Sequence, residues 1–223
     1  MMIAGRPGAM KSTLAMWWAA QLNIPTLYFS ADMAPHTAST RLAACISGDK
    51  VIEVSATLAG ARQHYYEDVL GQTKISLCFD SSPTFDDIGT EINAYVETWD
   101  AFPELIVVDN ALNVDHGLEG HSGLLAVMDE CHRMARVTGA AVWVLHHTTE
   151  STSTDPSEPQ PSRDVQHKVT QLPEIVLTVA YDEYTGNFWI APVKNRNGKD
   201  DPTGHIRFRL QAIPERALFR APM

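Results

Sequence analysis

The first two thirds of the chain alternate short apolar runs with longer segments of helical periodicity. Five apolar runs are predicted to be buried strands, at residues 2–4, 26–30, 75–79, 105–108 and 140–145. Helices are predicted between them at residues 11–22, from 35 to about 48, from 84 to about 99, and at 123–137. Because strands that alternate with helices favour crossover connections, this order predicts an α/β fold whose mostly parallel sheet has helices on both faces.

Local start signals support two of these helices. Pro35 stands where a first helical turn tolerates proline, and that helix is expected to stop near Gly48. Thr84, followed three residues later by Asp87, resembles a capping box. Both signals agree with the boundaries that the apolar spacing predicts.

The pattern changes in the last third of the chain. Residues 148–162 are rich in Ser, Thr, Pro and Glu and lack apolar periodicity, so we expect a mobile functional loop over about 148–168. Three further strands follow, at 175–180, 188–193 and 205–210, joined by turn-rich segments. The C-terminal edge of the sheet is therefore predicted to be antiparallel.

Length and composition limit the class of protein. A chain of 223 residues can bury one substantial core, so a single domain over 1–223 is expected. No apolar run approaches the roughly 20 residues that cross a bilayer, and the first residues lack the pattern of a signal peptide. Three widely spaced cysteines give neither a disulfide framework nor a zinc motif. We expect a soluble cytoplasmic protein with reduced thiols and no membrane partner.

The net charge argues against a broadly basic nucleic-acid-binding surface. The formal charge is -10 at pH 7, whereas phosphate binding usually requires a basic face. The C-terminal third reverses this locally, because five cations lie close together there: Lys194, Arg196, Lys199, Arg207 and Arg209. A local basic channel thus remains compatible with the acidic whole.

The segment GRPGAMKST, residues 5–13, follows the first strand and opens the first helix. This context is typical of a phosphate-binding loop, where glycines let backbone N–H groups converge on phosphate oxygens at a helix N-terminus. Lys11 is expected to reach the terminal phosphates of ATP, and Ser12 is expected to bind Mg²⁺. The predicted nucleotide-binding residues are Gly5, Arg6, Pro7, Gly8, Ala9, Met10, Lys11, Ser12 and Thr13.

Met10 departs from the usual loop pattern, which has glycine at this position. If the position demands a positive φ, methionine costs roughly 1 kcal/mol or more of backbone strain. The alternative interpretation of the segment is a simple Gly/Pro turn ahead of an amphipathic helix.

Two predicted strands end in a carboxylate. Asp109 closes the apolar strand at 105–108, an arrangement that places an acid beside Mg²⁺ at the carboxyl edge of a parallel sheet. Asp32 follows the strand at 26–30 and is a candidate to orient or deprotonate the attacking water. The alternative for Asp109 is a turn formed with Asn110.

With these residues identified, the chain resembles the RecA-like motor domain of DnaB-type replicative helicases over nearly its whole length. Four blocks occur in the family's order: the loop at 5–12, the segment YFSADM at 28–33, the strand at 106–109, and KNRNG at 194–198 followed by PTG at 202–204. The last block is the most specific, since an unrelated P-loop ATPase has no reason to carry it. Here it is interrupted by three residues, 199–201.

The resemblance implies a role for each block. Asp32 corresponds to the family's catalytic base, although the family has the longer glutamate. Lys194 and Arg196 correspond to a lysine and an arginine finger that act on the nucleotide of the neighbouring subunit. His147 stands where small RepA-like hexameric helicases have a histidine, which makes it the candidate γ-phosphate sensor. We expect a single domain without the N-terminal collar domain of the DnaB-type family, so ring assembly is not assumed.

Contact with nucleic acid is also inferred from the resemblance. In related motors the loops after the Asp109 strand and after the sensor strand face the central channel, which here are 111–123 and 148–168. Arg163 and Lys168 are the candidate phosphate contacts, and weak copies would add together in a ring. The expected partners are single-stranded DNA, held without sequence preference, and further copies of the chain, with a hexameric ring as the family's form.

Two other functions remain open from the sequence. One is a RecA-like ATPase that remodels or loads proteins without gripping DNA. The other is a nucleotide-binding interaction protein with weak turnover, which Met10, Asp32 and the missing collar favour.

Overall fold

The structure is a computed structural model that describes residues 1–60, 64–118, 120–149 and 155–222, without the side chain of residue 168. The helices are α1 Lys11–Leu22, α2 Pro35–Ser47, α3 Val51–Leu58, α4 His64–Gly71, α5 Phe85–Trp99 and α6 Gly120–Thr138. The strands are β1 Met2–Gly5, β2 Thr26–Ser30, β3 Ile75–Cys78, β4 Leu105–Asp109, β5 Ala141–His147, β6 Ile175–Tyr181, β7 Asn187–Asn195, β8 Phe208–Ile213 and β9 Leu218–Arg220. No helix among the described residues combines the length and the hydropathy needed to cross a membrane.

The nine strands of the described ranges form one sheet in the order β3-β2-β4-β5-β1-β6-β7-β8-β9. The pairs from β3 to β6 are parallel, and the pairs from β6 to β9 are antiparallel. The predicted fold class is therefore confirmed: the sheet is mostly parallel and its C-terminal edge is antiparallel. The carboxyl ends of β1, β2, β4 and β5 share one edge, which we call the phosphate edge.

The core has one layer on each face of the sheet. On one face, α1 and α2 pack through residues such as Leu14 and Leu42 against Tyr28 and Leu145. On the other face, α5 and α6 cover the strands with a second apolar cluster that includes Ile106. Because successive strand residues point to opposite faces, the continuous apolar strands supply side chains to both layers.

The start signals of two helices are confirmed in detail. The Thr84 hydroxyl accepts a hydrogen bond from the Asp87 N–H, and the Asp87 carboxylate accepts one from the Thr84 N–H, which completes a capping box. Pro35 lies in the first turn of α2, and Gly48 ends that helix in the left-handed conformation with φ 77°. These local contacts fix where the two helices begin and end.

Several elements differ from the prediction. The strand predicted at 205–210 lies at Phe208–Ile213, and the short β9 was not predicted. The alternating pattern continues through both ranges, so pairing with β7 and β9 decides which residues form β8. Helices α3 and α4 were not predicted either. They form a small core of their own with α2 that includes Val54 and Tyr66.

The segment after β5 contains ordered contacts within its described part. Thr148 forms a bridge with Val165, and two short 3₁₀ helices follow at Ser162–Asp164 and Gln166–Gln171. Val165 and Val169 are buried in the core cluster under α6, which explains how this polar segment attaches to the sheet. The prediction of a mobile loop at 148–168 falls partly on residues 150–154, which lie outside the described residues.

Candidate nucleotide-binding site

The loop between β1 and α1 has the backbone geometry of a phosphate cradle. Gly5 lies against β6, where an added Cβ atom would come within 2.8 Å of the Val179 carbonyl oxygen. Gly8 and Met10 both have positive φ, 79° and 58°. Met10 therefore occupies the left-handed position that usually holds glycine, as the sequence suggested.

The N-terminus of α1 is open toward this loop. Met10 is the N-cap residue and makes no side-chain capping hydrogen bond, so no N-cap side chain occupies the first N–H groups of the helix. These groups and the helix dipole favour a bound anion. A cavity of about 630 Å³ adjoins residues 6–9, and its other walls are residues 155–157, Tyr181 at the end of β6 and the turn that follows it as far as Tyr184. The cavity has room for a nucleoside next to the phosphate loop.

Lys11 is buried at the centre of the site. Its ammonium group donates hydrogen bonds to the carbonyl oxygens of Gly5 and Arg6, each at 3.0 Å, and lies 3.4 Å from Nδ1 of His147. Burial lowers the Lys11 pKa to about 8, although the nearby carboxylates of Asp109 and Asp32 act in the opposite direction. A desolvated ammonium group of this kind is stabilised when an anion arrives.

Asp109 ends β4 beside the start of α1 and is almost completely buried. Burial raises its pKa, while hydrogen bonds from the side chains of Ser12 and Tyr28 lower it. The Tyr28 hydroxyl donates to Oδ2 of Asp109 at 2.8 Å. Sequence reasoning assigned Tyr28 no role of its own at the site, because its contact with Asp109 spans 81 positions and depends on strand pairing. Ser12 and Asp109 together present hard oxygen ligands, the donor type that suits Mg²⁺.

Asp32 lies on the same edge, after β2. Strand β2 pairs with β4 so that Ser30 faces Asp109, and the Ala31 N–H donates to the Asp109 carbonyl oxygen at 2.9 Å. The Asn110 amide donates a hydrogen bond to Oδ2 of Asp32. Asn110 was considered in the sequence only as a turn residue, since nothing along the chain links it to a residue 78 positions away.

His147 lies beside β1, in register with Gly5. Its pKa is lowered first by burial and then by the positive charge of Lys11, so the neutral ring is favoured near neutral pH. The preceding His146 is fully buried, and its Nε2 lies 3.1 Å from the Gln166 carbonyl oxygen. His146 thus joins the strand to the segment behind it, whereas His147 faces the phosphate loop.

Lys194 and Arg196 lie at the end of the sheet opposite the phosphate edge, near the start of β6. Lys194 pairs with Val176 and Gly5 pairs with Val179, so the lysine stands three β6 positions away from the phosphate edge. The Lys194 ammonium donates to the carbonyl oxygens of Thr170 and Gln171 at 2.7 and 2.6 Å. The structure therefore does not bring these two cations together with Lys11 in one chain.

Arg196 forms an ion pair with Glu174. The guanidinium Nη1 lies 2.7 Å from Oε1 of Glu174, and both side chains are half exposed. Burial, followed by the charge of Arg196, lowers the pKa of Lys194. Arg196 is thus the more accessible of the two cations, since Lys194 is partly buried.

The two predicted DNA-contact residues are Arg163 and Lys168. The side chain of Arg163 is 80% exposed and lies 3.8 Å from the Asp164 carboxylate, a weak surface pair. The side chain of Lys168 lies outside the described residues. The predicted loop range 111–123 includes the first turn of α6, where His121 Nδ1 lies 2.6 Å from the His167 carbonyl oxygen in the range 148–168.

Comparison with known proteins places this geometry in a family. A sequence profile described as AAA domain matches residues 1–153. The chain is 34% identical over 213 residues to the Gene 65 protein of Mycobacterium phage L5, covering 91% of this chain and 78% of that protein. It is 34% identical over 223 residues to the Gene 65 protein of Mycobacterium phage D29, covering 95% and 94% of the two chains.

Solved structures show the same fold at low sequence identity. A DnaB-like replicative helicase, described with its interactions with primase, matches with a TM-score of 0.82 and 15% identity over the whole of this chain. The chain spans only 57% of that helicase. A second solved structure, that of an isolated ATPase domain, also matches with a TM-score of 0.82 and 15% identity, covering 100% of this chain and 84% of that one. The RadB recombinase is more distant, with a TM-score of 0.57 and 15% identity, covering 100% and 90%.

The phosphate loop, the buried acid at the end of β4 and the mostly parallel sheet agree with these matches. The chain therefore belongs to the AAA domain family, and its fold is that of the RecA-like P-loop ATPase domain of DnaB-like replicative helicases.

Proposed function

We propose that the protein is a Mg²⁺-dependent ATPase that acts as a helicase or translocase core on single-stranded DNA. The observation that carries the proposal is the convergence of Lys11, Asp109, Asp32 and His147 around one phosphate loop. A simple Gly/Pro turn would not need a buried lysine beside two carboxylates.

In this proposal each residue has a distinct task. The backbone N–H groups at the start of α1 and the Lys11 ammonium bind the phosphates and neutralise charge that develops during transfer. Ser12 and Asp109 hold Mg²⁺, which supplies further neutralisation of the phosphate oxygens when bound. Asp32 accepts a proton from the attacking water, and neutral His147 is placed to sense the terminal phosphate.

We also propose that Lys194 and Arg196 act on the nucleotide of a neighbouring copy. Three strand positions correspond to about 10 Å along the sheet, and two strand spacings add about 10 Å across it. Neither side chain can serve its own phosphate loop from that distance. The Arg196 side chain is half exposed, which supports delivery of this cation to a second chain, where such fingers raise the rate about 10³- to 10⁵-fold.

The trans arrangement is tested by mixing two inactive variants. Arg196→Ala is expected to bind nucleotide normally and to hydrolyse it poorly, while Lys11→Ala is expected not to hydrolyse it. Mixed oligomers recover activity at interfaces that combine an intact loop with an intact finger. Arg136→Ala, an exposed arginine at the last turn of α6, is the matched control and should keep wild-type rates. Absence of any recovery in the mixture would exclude the trans role.

Single-stranded DNA is proposed as the substrate because the two candidate DNA loops both start at the phosphate edge, and the first turn of α6, which follows the first loop, contacts the second. One follows β4 and the other follows β5, strands that are neighbours in the sheet. Arg163 is exposed in the second loop, and several copies of a weak contact would sum in a ring.

The test is the ATPase rate per chain measured across protein concentrations, with and without single-stranded DNA. The rate should rise with concentration and rise further with DNA, and Lys11→Ala should abolish it. Hydrolysis that DNA does not stimulate would favour a protein-remodelling ATPase. Binding of nucleotide with negligible hydrolysis in every state would favour an interaction protein.

A further inference from the structure

Asn110 occupies a position that joins the candidate base to the loop after β4. The residue is only 4% exposed. The amide oxygen accepts a hydrogen bond from the Leu112 N–H at 2.8 Å, and the amide nitrogen donates to Oδ2 of Asp32. A carboxamide has a donor nitrogen and an acceptor oxygen, so these two partners determine which way the amide group is oriented.

The hydrogen bond from Asn110 restricts the orientation of the Asp32 carboxylate that would accept a proton from the attacking water. The backbone beside Asp32 is tied to β4 through the Ala31 N–H, but this bond does not fix the rotation of the carboxylate. The Asn110 amide does fix it, since it holds one oxygen of the group. A carboxylate has two oxygens, so the second remains able to accept a proton from water.

The contact with Leu112 links the same amide to the candidate DNA loop. Residues Ala111–Asn113 form a short 3₁₀ helix that Asn110 caps with its side-chain oxygen. Leu112 is 45% exposed, so the loop reaches the surface directly after this buried amide. A displacement of the loop that broke the cap would also free the amide from its fixed orientation toward Asp32.

We propose that Asn110 is a positioning residue that holds the Asp32 carboxylate for hydrolysis and connects it to the loop at 111–118. The inference rests on the proposed ATPase function, because it assigns Asp32 as the base. It goes beyond that function by naming the group that orients the base and the route by which the loop reaches it.

Two substitutions separate the two hydrogen bonds. Asn110→Asp keeps an oxygen that can accept from the Leu112 N–H, but it cannot donate to Asp32. Asn110→Ala removes both bonds. Asn93→Asp introduces the same charge change at an exposed position of α5 and serves as the control. For each variant the ATP hydrolysis rate, the KM and the dissociation constant for a fluorescent ATP analogue are measured, together with a thermal melt.

Positioning predicts that both Asn110 variants lower kcat about 10- to 100-fold, the size of effect expected for a hydrogen bond to a charged group, with little change in analogue binding. Asn93→Asp should match the wild type. Asp32→Ala provides a second test, because Asn110→Ala should slow the wild type but add nothing to an Asp32→Ala chain.

Other outcomes overturn the inference. If Asn110→Asp hydrolyses ATP like the wild type while Asn110→Ala does not, Asn110 is only a cap of the loop. If Asn110→Ala slows the Asp32→Ala chain as much as it slows the wild type, the amide does not act through Asp32. If the wild type shows no hydrolysis that depends on Lys11, the proposed function itself fails. If that hydrolysis is present and only the Asn110 results differ from expectation, the inference alone is lost.

Discussion

The low pKa of Lys11 predicts that nucleotide binding weakens in mildly alkaline solution. In the protein without nucleotide this pKa is about 8, lowered chiefly by burial from 10.5. The charged form binds phosphate, so binding is favoured below pH 8 and is progressively lost as the pH rises through that value. A bound triphosphate brings negative charge that restores the pKa toward its ordinary value.

The magnitude follows from this difference in pKa. At about pH 9 roughly nine tenths of the free protein has a neutral Lys11, so binding must take up about 0.9 proton per chain. The dissociation constant for ATP should therefore increase about tenfold between pH 7 and pH 9, or about 1.4 kcal/mol.

His147 and the three cysteines do not account for such a change. The pKa of His147 is lowered from 6.5, so it titrates below this range. The three cysteines have their pKa values raised to about 12 by burial and stay protonated across it. Lys11 is thus the group near the phosphate loop expected to titrate between pH 7 and pH 9.

The assay is isothermal titration calorimetry with ATP at several pH values, in buffers of different ionisation enthalpy, which reports affinity and proton uptake together. Lys11→Arg is the matched control, because a guanidinium group stays charged throughout the range. Its affinity for ATP should be nearly independent of pH. The reasoning is refuted if the wild type loses less than about twofold in affinity, or if Lys11→Arg shows the same decline.

Two further predictions concern stability and share a chemical-denaturation assay. Met10 has φ 58°, so Met10→Gly should be more stable than Met10→Ala by about 1 kcal/mol. Both variants lose the side chain, but only glycine relieves the backbone strain. Equal or reversed stabilities would contradict strain at this position. Tyr28→Phe removes a donor from buried Asp109 and should cost about 1 to 3 kcal/mol of unfolding free energy. Tyr66→Phe removes a similar bond to half-buried Asp49 and should cost less, so an equal loss from the two variants would contradict the role of burial.

Much of the fold could be predicted from the chain because its signals are local. Residues 5–13 are contiguous, so the phosphate loop is visible without knowledge of any long-range contact. The five apolar strands and the capping box at Thr84 likewise depend on neighbours in sequence. Since parallel strands end at a common edge, even the proximity of Asp32 to Asp109 could be anticipated.

Elements with weak or ambiguous local signals were less predictable. The boundaries of β8 depend on its pairing with β7, since alternation alone allows a shift along the chain. Helices α3 and α4 are short and stabilised mainly by packing on α2. Their existence is therefore decided by burial rather than by propensity.

The sequence by itself determined the class of fold, the phosphate loop and the acid that ends β4, because each depends on a pattern of consecutive residues. Only the tertiary structure joined Asn110 to Asp32 and Tyr28 to Asp109, and placed Lys194 away from the loop of its own chain. The physical reason is that hydrogen bonds between side chains about 80 residues apart depend on strand order and register, which are set by the packing of the whole sheet.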